Sequence, residues 1–434
     1  MASKLSLAAC LLPIVLSVVG TVHTAGTAQA ADTAPTTQPS CSSALLNPAD
    51  NQSGGSFGAS VAVNGQTALV ADPDYSTAFV LPPVNPPYID GRVSVFTCEA
   101  TTQVWTNTAT LELPATDTNQ GITLGTSVAL QGDLAAIGAS NGVYLYKRQG
   151  QNWNQLLQVL PTSSQTGITA HSGSVIALAD HVLAVSVIET LSSSPYTTTS
   201  IYVDVYQILD VDHHAAAIRI ARLEPPAGDT GDFGGALAMK GDTLIVGDPP
   251  DVSAYVYTRR GLTFKLDQTI TGSEATTDSG FGTSLAISKD VILVGAPDEN
   301  IITDSFGVVT QGAVYAFRHQ SGPASPWVET QHFSPQGGDY AYFGGALAVN
   351  RNGRAVIGTP RAYDFETQTE FGPTFFYTLQ GGQFVLSSSQ MSEGAPSSAL
   401  EITDEYLIVG SLRFYIGGPI ASAQIINLSQ LPAN

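Results

Sequence analysis

The side chains best able to do chemistry in this chain are carboxylates gathered in segments rich in Pro, Gly and Tyr. Asp72, Asp74, Tyr75, Tyr88 and Asp90 share one segment, Asp248 and Asp251 a second, and Asp298, Glu299 and Asp304 a third. Arg361, Tyr363 and Asp364 follow in a fourth, Arg413 and Tyr415 in a fifth. Carboxylates mixed with a few Arg and Tyr side chains suit a carbohydrate or a cation-bridged ligand, because they pair hydrogen-bond acceptors with flat, half-apolar rings. Asp72, Asp74, Tyr75, Asp248, Asp251, Asp298, Glu299, Asp304, Arg361, Tyr363 and Arg413 are therefore the candidate ligand-binding residues. The same Asp-Pro and Asp-x-Tyr strings are also ordinary turn chemistry, which is the bland alternative for each of them.

Catalytic constellations are poor by comparison. His171 and His181 lie across a hairpin, and the adjacent His213 and His214 point to opposite sides of a strand, so neither pair has metal-ligand spacing. Gly-x-Ser-x-Gly stands nowhere in a strand-to-helix context. A glycosidase-like carboxylate pair would have to be assembled from separate segments, for instance Asp298 and Asp74. The expectation is a protein without catalysis, cofactor or metal.

The elements that must position these residues recur. An apolar strand introduced by Phe-Gly or a variant appears at Phe57-Gly58, Leu124-Gly125, Phe233-Gly234, Phe281-Gly282 and Phe343-Gly344, with degenerate copies at Ser172 and Ser397. Steps between the equivalent positions 58, 125, 172, 234, 282, 344 and 397 are 67, 47, 62, 48, 62 and 53 residues, so unequal loops sit on a constant frame. Each copy continues through a short polar turn such as Asn64-Gly65 or Lys240-Gly241-Asp242, whose Gly and Asn suit the positive φ of tight hairpins. A continuous apolar run follows, as in Ile292-Leu293-Val294-Gly295-Ala296-Pro297, and then an aromatic and β-branched strand such as Val314-Tyr315-Ala316-Phe317. A fourth strand opens near an aromatic residue: Trp105, Trp153, Phe264, Trp327 or Phe384. Four antiparallel strands repeated seven times predict an all-β, seven-bladed β-propeller.

Ring closure is predicted as well. The last apolar strand, Ala423 to Leu428, is of the third type, so the seventh blade is complete only if Ser42 to Leu46 supplies its outer strand. That topology places Cys41 and Cys98 on one face at the periphery of adjacent blades, and a bridge between them would stabilise by about 4 kcal/mol in the chain-entropy picture. The turns between first and second strands are short in every blade. Long connections, at Asp72 to Asp90, Val187 to Ser200, Pro297 to Gln311, Pro360 to Gly372 and Leu412 to Ser422, join second strands to third and gather on the opposite face.

At Phe281-Gly282, Gly295-Ala296-Pro297 and Gly312-Ala313-Val314-Tyr315-Ala316-Phe317 the sequence resembles the FG-GAP repeat family, most closely its secreted bacterial propellers and more distantly the heads of integrin α-chains. The resemblance covers residues 42 to 434 and implies a propeller used for recognition outside the cell. Integrin-like repeats carry Asp-rich calcium loops between the first two strands. Here those turns read Asn64-Gly65, Ala179-Asp180-His181 or Ser288-Lys289-Asp290, too short and too poor in carboxylates to supply six or more oxygens.

The N-terminus has the layout of an export signal: Lys4, an apolar run from Leu5 to Val19, and Ala28-Gln29-Ala30 ahead of Ala31. The expected organisation is a signal peptide over 1–30, a linker over 31–41 and the propeller over 42–434. Removal of Lys4 leaves 15 basic against 36 acidic residues, a formal charge of −21. With no basic cluster to follow a phosphate backbone, nucleic acid is excluded as a partner, and no later run is apolar enough to span a bilayer. The expectation is an exported recognition module whose partner is an extracellular protein or glycan; the alternatives are a hydrolase or lyase acting on extracellular polysaccharide and a structural envelope or matrix protein.

Overall fold

The computed structural model describes residues 40–434 apart from 51–55, 76–89, 114–121, 162–167, 194–195, 212–213, 227–231, 303–307, 321–325, 336–341, 361–362, 365–368, 371, 392–396, 414–419 and 432–434. Seven four-stranded antiparallel sheets follow one another in chain order, each pairing its strands first to second to third to fourth. The outer strand of blade seven is Ala44–Leu46, which pairs with Ile420–Asn427 through Ala44 to Ile425, Leu45 to Gln424 and Leu46 to Ala423. The ring therefore closes through its N-terminal strand.

Burial grades from axis to rim. The second strands Thr67–Asp72, Leu134–Ala139 and Val291–Ala296 are buried at all six positions, because both faces of each blade are covered by its neighbours, and this removes any need for polar alternation. Outer strands such as Asn152–Val159 are mostly exposed or half-buried. Among the described residues the buried apolar side chains form seven clusters, each spanning two adjacent blades.

The Phe-Gly and Gly-Ala-Pro motifs interlock between blades. A Cβ added at Gly295 in the second strand of blade five would overlap the carbonyl oxygen of Gly344, which follows Phe343 in blade six; Gly410 of blade seven meets Gly58 of blade one in the same way. Gly344 and Gly58 have φ of +90° and +99°, so the motif needs glycine for its conformation and its partner needs glycine for the close approach. The preceding Phe residues are buried and meet a third-strand ring edge-on, as Phe281 does Tyr315 at 5.2 Å and Phe343 does Phe375 at 5.2 Å. In the third blade the equivalent glycine is Gly173, with φ of +93°, one residue beyond the position expected from the repeat alignment.

Two features depart from the sequence expectation. In blades one to six the third and fourth strands slip register at one equivalent place, just before a third-strand aromatic: Phe96, Tyr146, Tyr206, Tyr257, Phe317 and Tyr377. The residue left over on the outer strand is Thr108, Thr330 or Ser387 in three of them, and its hydroxyl donates to the carbonyl of Val95, Ala316 or Phe376, occupying an acceptor beside the interrupted ladder. Secondly, Val187 to Ser200 is not a loop. The strands Val182–Ser193 and Tyr196–Val211 stay paired out to Ser193 and Tyr196, and Ile168 to Ser172 pairs alongside, so blade three extends beyond its neighbours as a three-stranded sheet.

Candidate binding face

The face opposite the short hairpins carries the connections between second and third strands. Asn300–Ile302 pairs with Val308–Thr310 in the blade-five connection, and Tyr363–Asp364 with Thr369–Glu370 in that of blade six. The blade-three extension rises on the same side.

Asp72 and Tyr75 converge around a residue that the sequence did not flag. Arg92 opens the third strand of blade one at 4 % exposure. Its guanidinium donates to both oxygens of Asp50 at 2.7 and 3.1 Å, lies 3.7 Å from Asp72 and stacks 3.5 Å under the Tyr75 ring. The Tyr75 carbonyl accepts the amides of Asp90 and Gly91, pinching the neck of the long connection. Burial raises the Tyr75 phenol pKa, with Arg92 pulling the other way and Asp50 and Glu112 adding to the rise. Asp74 is exposed and accepts the Ser56 hydroxyl. Asp72 is fully buried, so it holds Arg92 and the sheet and presents no carboxylate to solvent.

Asp248 is likewise fully buried at the end of its strand, paired in register with Ser253 across a tight turn. Asp251 lies half-buried in that turn, where its carbonyl accepts the Ser253 hydroxyl. These two belong to turn construction, and the expected ring of surface carboxylates loses Asp72 and Asp248 to the interior.

Blade five assembles a polar cluster. Glu299 accepts the Tyr315 hydroxyl at 2.7 Å and bonds His332 Nε2 at 2.8 Å, while the other ring nitrogen of His332 faces Glu274 at 3.6 Å. The imidazole stacks on Tyr315 with centroids 4.4 Å apart. The hydrogen bond to Glu299 raises the His332 pKa against the opposing effect of burial, and the Glu299 and Glu274 charges add to the rise. Burial and the Glu299 bond push the Tyr315 phenol up as well. Asp298 is half-buried beside them, its amide donating to Ser279. Neither His332 nor Glu274 had a local sequence signal, since Glu299 and His332 are 33 residues apart and meet only through blade topology.

The root of the blade-three extension has its own cluster. Asp204 is fully buried and accepts from Arg222 at 2.8 and 2.9 Å and from Arg219 at 3.2 Å. Arg222 stacks 3.6 Å from the Tyr202 ring, whose hydroxyl donates to Glu189.

Asp304 and Arg361 lie outside the described residues. Tyr363 pairs by backbone with Glu370, and Arg413 with Ile420 at the end of its strand. Among the described residues no three His, Cys, Asp or Glu side chains converge to hold a metal ion, and no helix is long and apolar enough to cross a membrane.

Residues 264–317, from the outer strand of blade four through the third strand of blade five, match the FG-GAP repeat family. The fold is a seven-bladed β-propeller, and this stretch of it matches the FG-GAP repeat. Among solved structures, the chain is similar to Sqt1 of Saccharomyces cerevisiae at 12 % identity, with 88 % of each chain covered and a TM-score of 0.45. It is also similar to a chain of a mitotic checkpoint complex at 11 % identity, covering 83 % of this chain and 87 % of that one, TM-score 0.48. The β-propeller domain of Myceliophteria thermophila Cps50 (Swd1) is similar at 11 % identity over 88 % of this chain and 98 % of that one, TM-score 0.48. No curated protein matches the chain in sequence.

Proposed function

We propose that the protein is an exported recognition module, without catalysis, that binds an extracellular protein or glycan through the face bearing its long connections. The observation that carries this reading is one-sided elaboration. The hairpins between first and second strands stay short around the ring, whereas the other face bears the blade-three extension and two secondary hairpins. Variation on one side of a rigid frame is how scaffolds present binding surfaces. Export is supported by the signal-like N-terminus and by the Cys41–Cys98 disulfide, a bond that persists in oxidising compartments.

A glycan array tests the proposal, probed with the wild type, with Asp74→Ala and Asp298→Ala, and with a variant in which Asn-Gly replaces residues 190–199 between the paired Glu189 and Ser200. Binding that is lost in these variants and retained in Asp242→Ala, on the hairpin side, supports the face. Release of reducing ends from any bound polysaccharide would replace the non-catalytic reading with a hydrolase. Thermal melts with and without calcium determine whether a cation takes part.

A further inference from the structure

His332 stands between two connections of the loop-bearing face. One follows the outer strand of blade four, Thr263–Ile270, and carries Gly272, Ser273 and Glu274. The other leaves the second strand of blade five, Val291–Ala296, and has Glu299 at its base, where the Glu299 carbonyl accepts the Gly312 amide. Fourth-to-first and second-to-third connections leave an antiparallel four-stranded blade on the same side, so both belong to that face.

The imidazole therefore has a fixed carboxylate on one nitrogen and a loose one on the other. The Glu299 side chain is 12 % exposed, bonds Nε2 at 2.8 Å and also accepts the Tyr315 hydroxyl. The Glu274 side chain is 71 % exposed and faces Nδ1 at 3.6 Å, its one ion pair among the described residues. Behind Glu274 the connection is anchored. Ser273 donates its amide and hydroxyl to Glu329 at 2.8 and 2.7 Å, and a Cβ at Gly272 would come within 2.6 Å of the Tyr315 ring. Among the described residues the charges that act on the imidazole are those of Glu299 and Glu274. Glu329 is engaged with Ser273, and Tyr315 stays neutral because burial and the Glu299 bond raise its pKa.

Charged, the ring has two N–H donors and serves both carboxylates; neutral, it has one. The nearer and better buried Glu299 keeps that donor, which leaves the Nδ1 lone pair aimed at the Glu274 carboxylate. One proton thus decides between attraction and repulsion at Nδ1 and leaves the Nε2 contact in place. An exposed ion pair contributes little to stability, so what changes is the position of the arm beyond Ser273 and not the fold.

We propose that His332 is a proton-operated latch on the loop-bearing face: the imidazolium ties the Glu274 arm to blade five, and the neutral imidazole releases it. The hydrogen bond to Glu299 and the two negative charges put this release above the ordinary imidazole range. The arm is ordered in acid and mobile in base. The latch is a property of the fold, and its failure would leave the recognition reading intact.

Methyl NMR of the full-length protein, labelled at alanine and at the histidine ring, tests the latch. Ala275 follows Glu274 and packs on the blade-five core, so its methyl reports on the arm without an exchangeable proton. The His332 ring should titrate with a midpoint above its ordinary 6.5. At that same midpoint the Ala275 order parameter should fall from about 0.85 to about 0.6. Glu274→Ala removes the contact and should give the low value at every pH. Glu274→Gln should give the high value at every pH, because its amide accepts from the charged ring and donates to the neutral one. Both variants change one exposed side chain and should melt as the wild type. A His332 midpoint at or below 6.5, an Ala275 methyl that does not respond as the ring titrates, or wild-type pH dependence in Glu274→Gln would each overturn the proposal.

Discussion

The contact between blades five and six and the contact between blades seven and one use the same core devices but are fastened differently: the first by Gln331 of blade five, whose amide exchanges two bonds with the Phe384 backbone of blade six at 3.0 and 2.6 Å, the second by a denser set of ties. At both, a second-strand glycine lies against the backbone of the next Phe-Gly, Gly295 on Gly344 and Gly410 on Gly58. At both, a side chain reaches across to the next blade: the Ser284 hydroxyl to the Gly344 carbonyl, and Glu401 to the Val63 amide. Blade six grows from blade five by continuous chain. Blade seven is held to its outer strand by three paired residues and must be tied to the ring in other ways. The ties converge on Cys41, which is bonded to Cys98 of blade one, gives its amide to the Tyr406 hydroxyl at 2.7 Å and its carbonyl to Asn427 Nδ2 at 2.7 Å. Tyr406 is fully buried, with the Trp105 ring edge-on at 5.1 Å. Where the ring lacks covalent continuity, a disulfide and buried polar side chains are added to the ties that join the other blades.

The largest effect should come from the disulfide. It closes a segment with a sequence separation of 57, so Cys41→Ser with Cys98→Ser is expected to cost about 4 kcal/mol in the chain-entropy picture. Hydrogen exchange should then show amides of Ala423 to Asn427 opening well before those of the blade-five to blade-six contact. Equal exchange at the two contacts would break the comparison.

Next come Gly295→Ala and Gly410→Ala. Each new methyl meets a backbone carbonyl that cannot swing aside, and a cost of about 3 kcal/mol, at the upper end for overpacking, is expected for both. Denaturant midpoints that fall together would show that the interlock is general around the ring. A much smaller loss at Gly410 would mean that the closing contact relies on its fasteners instead. Tyr406→Phe should cost less, about 1–2 kcal/mol, since it removes one buried acceptor from the Cys41 amide and keeps the ring packing.

The elements with a short-range signature were legible in the sequence: the Phe-Gly strands, the Gly-containing turns, the closing strand and the cysteine pair. What stayed hidden depends on neighbours. The blade-three extension is rich in Thr and Ser, with Tyr196-Thr197-Thr198-Thr199-Ser200 reading as a polar connection because no apolar period marks it as strand. The register slips leave no sequence mark beyond a hydroxyl residue in three of six blades. Arg92 lies next to a recognised strand, but a charge at a strand end reads as loop, and only its contacts with Asp50 and Tyr75 show it to be the centre of its cluster. Asp72 and Asp248 carry the same turn chemistry as the exposed Asp74, and burial alone separates them.

Acid–base behaviour separates the closing contact from the cluster in blade five by a smaller but distinct effect. Glu401 titrates near 4.5 when unfolded and at about 7 in the fold. Its folded-state pKa is raised, so its contribution is fully present below about pH 4.5 and is lost as pH rises toward 7. His332 is also raised, from an ordinary value of 6.5, by Glu299 and Glu274. Its contribution is intact below about 6.5 and fades only at higher pH, as the imidazolium that bridges the two carboxylates loses its proton. Stability measured by denaturant titration at each pH, as the difference between wild type and variant, resolves the two windows. Glu401→Gln should flatten the limb between pH 4.5 and 7, and His332→Gln the limb above 6.5. If Glu401→Gln leaves the lower limb unchanged, the carboxyl is better hydrated at the closing contact than its surroundings imply.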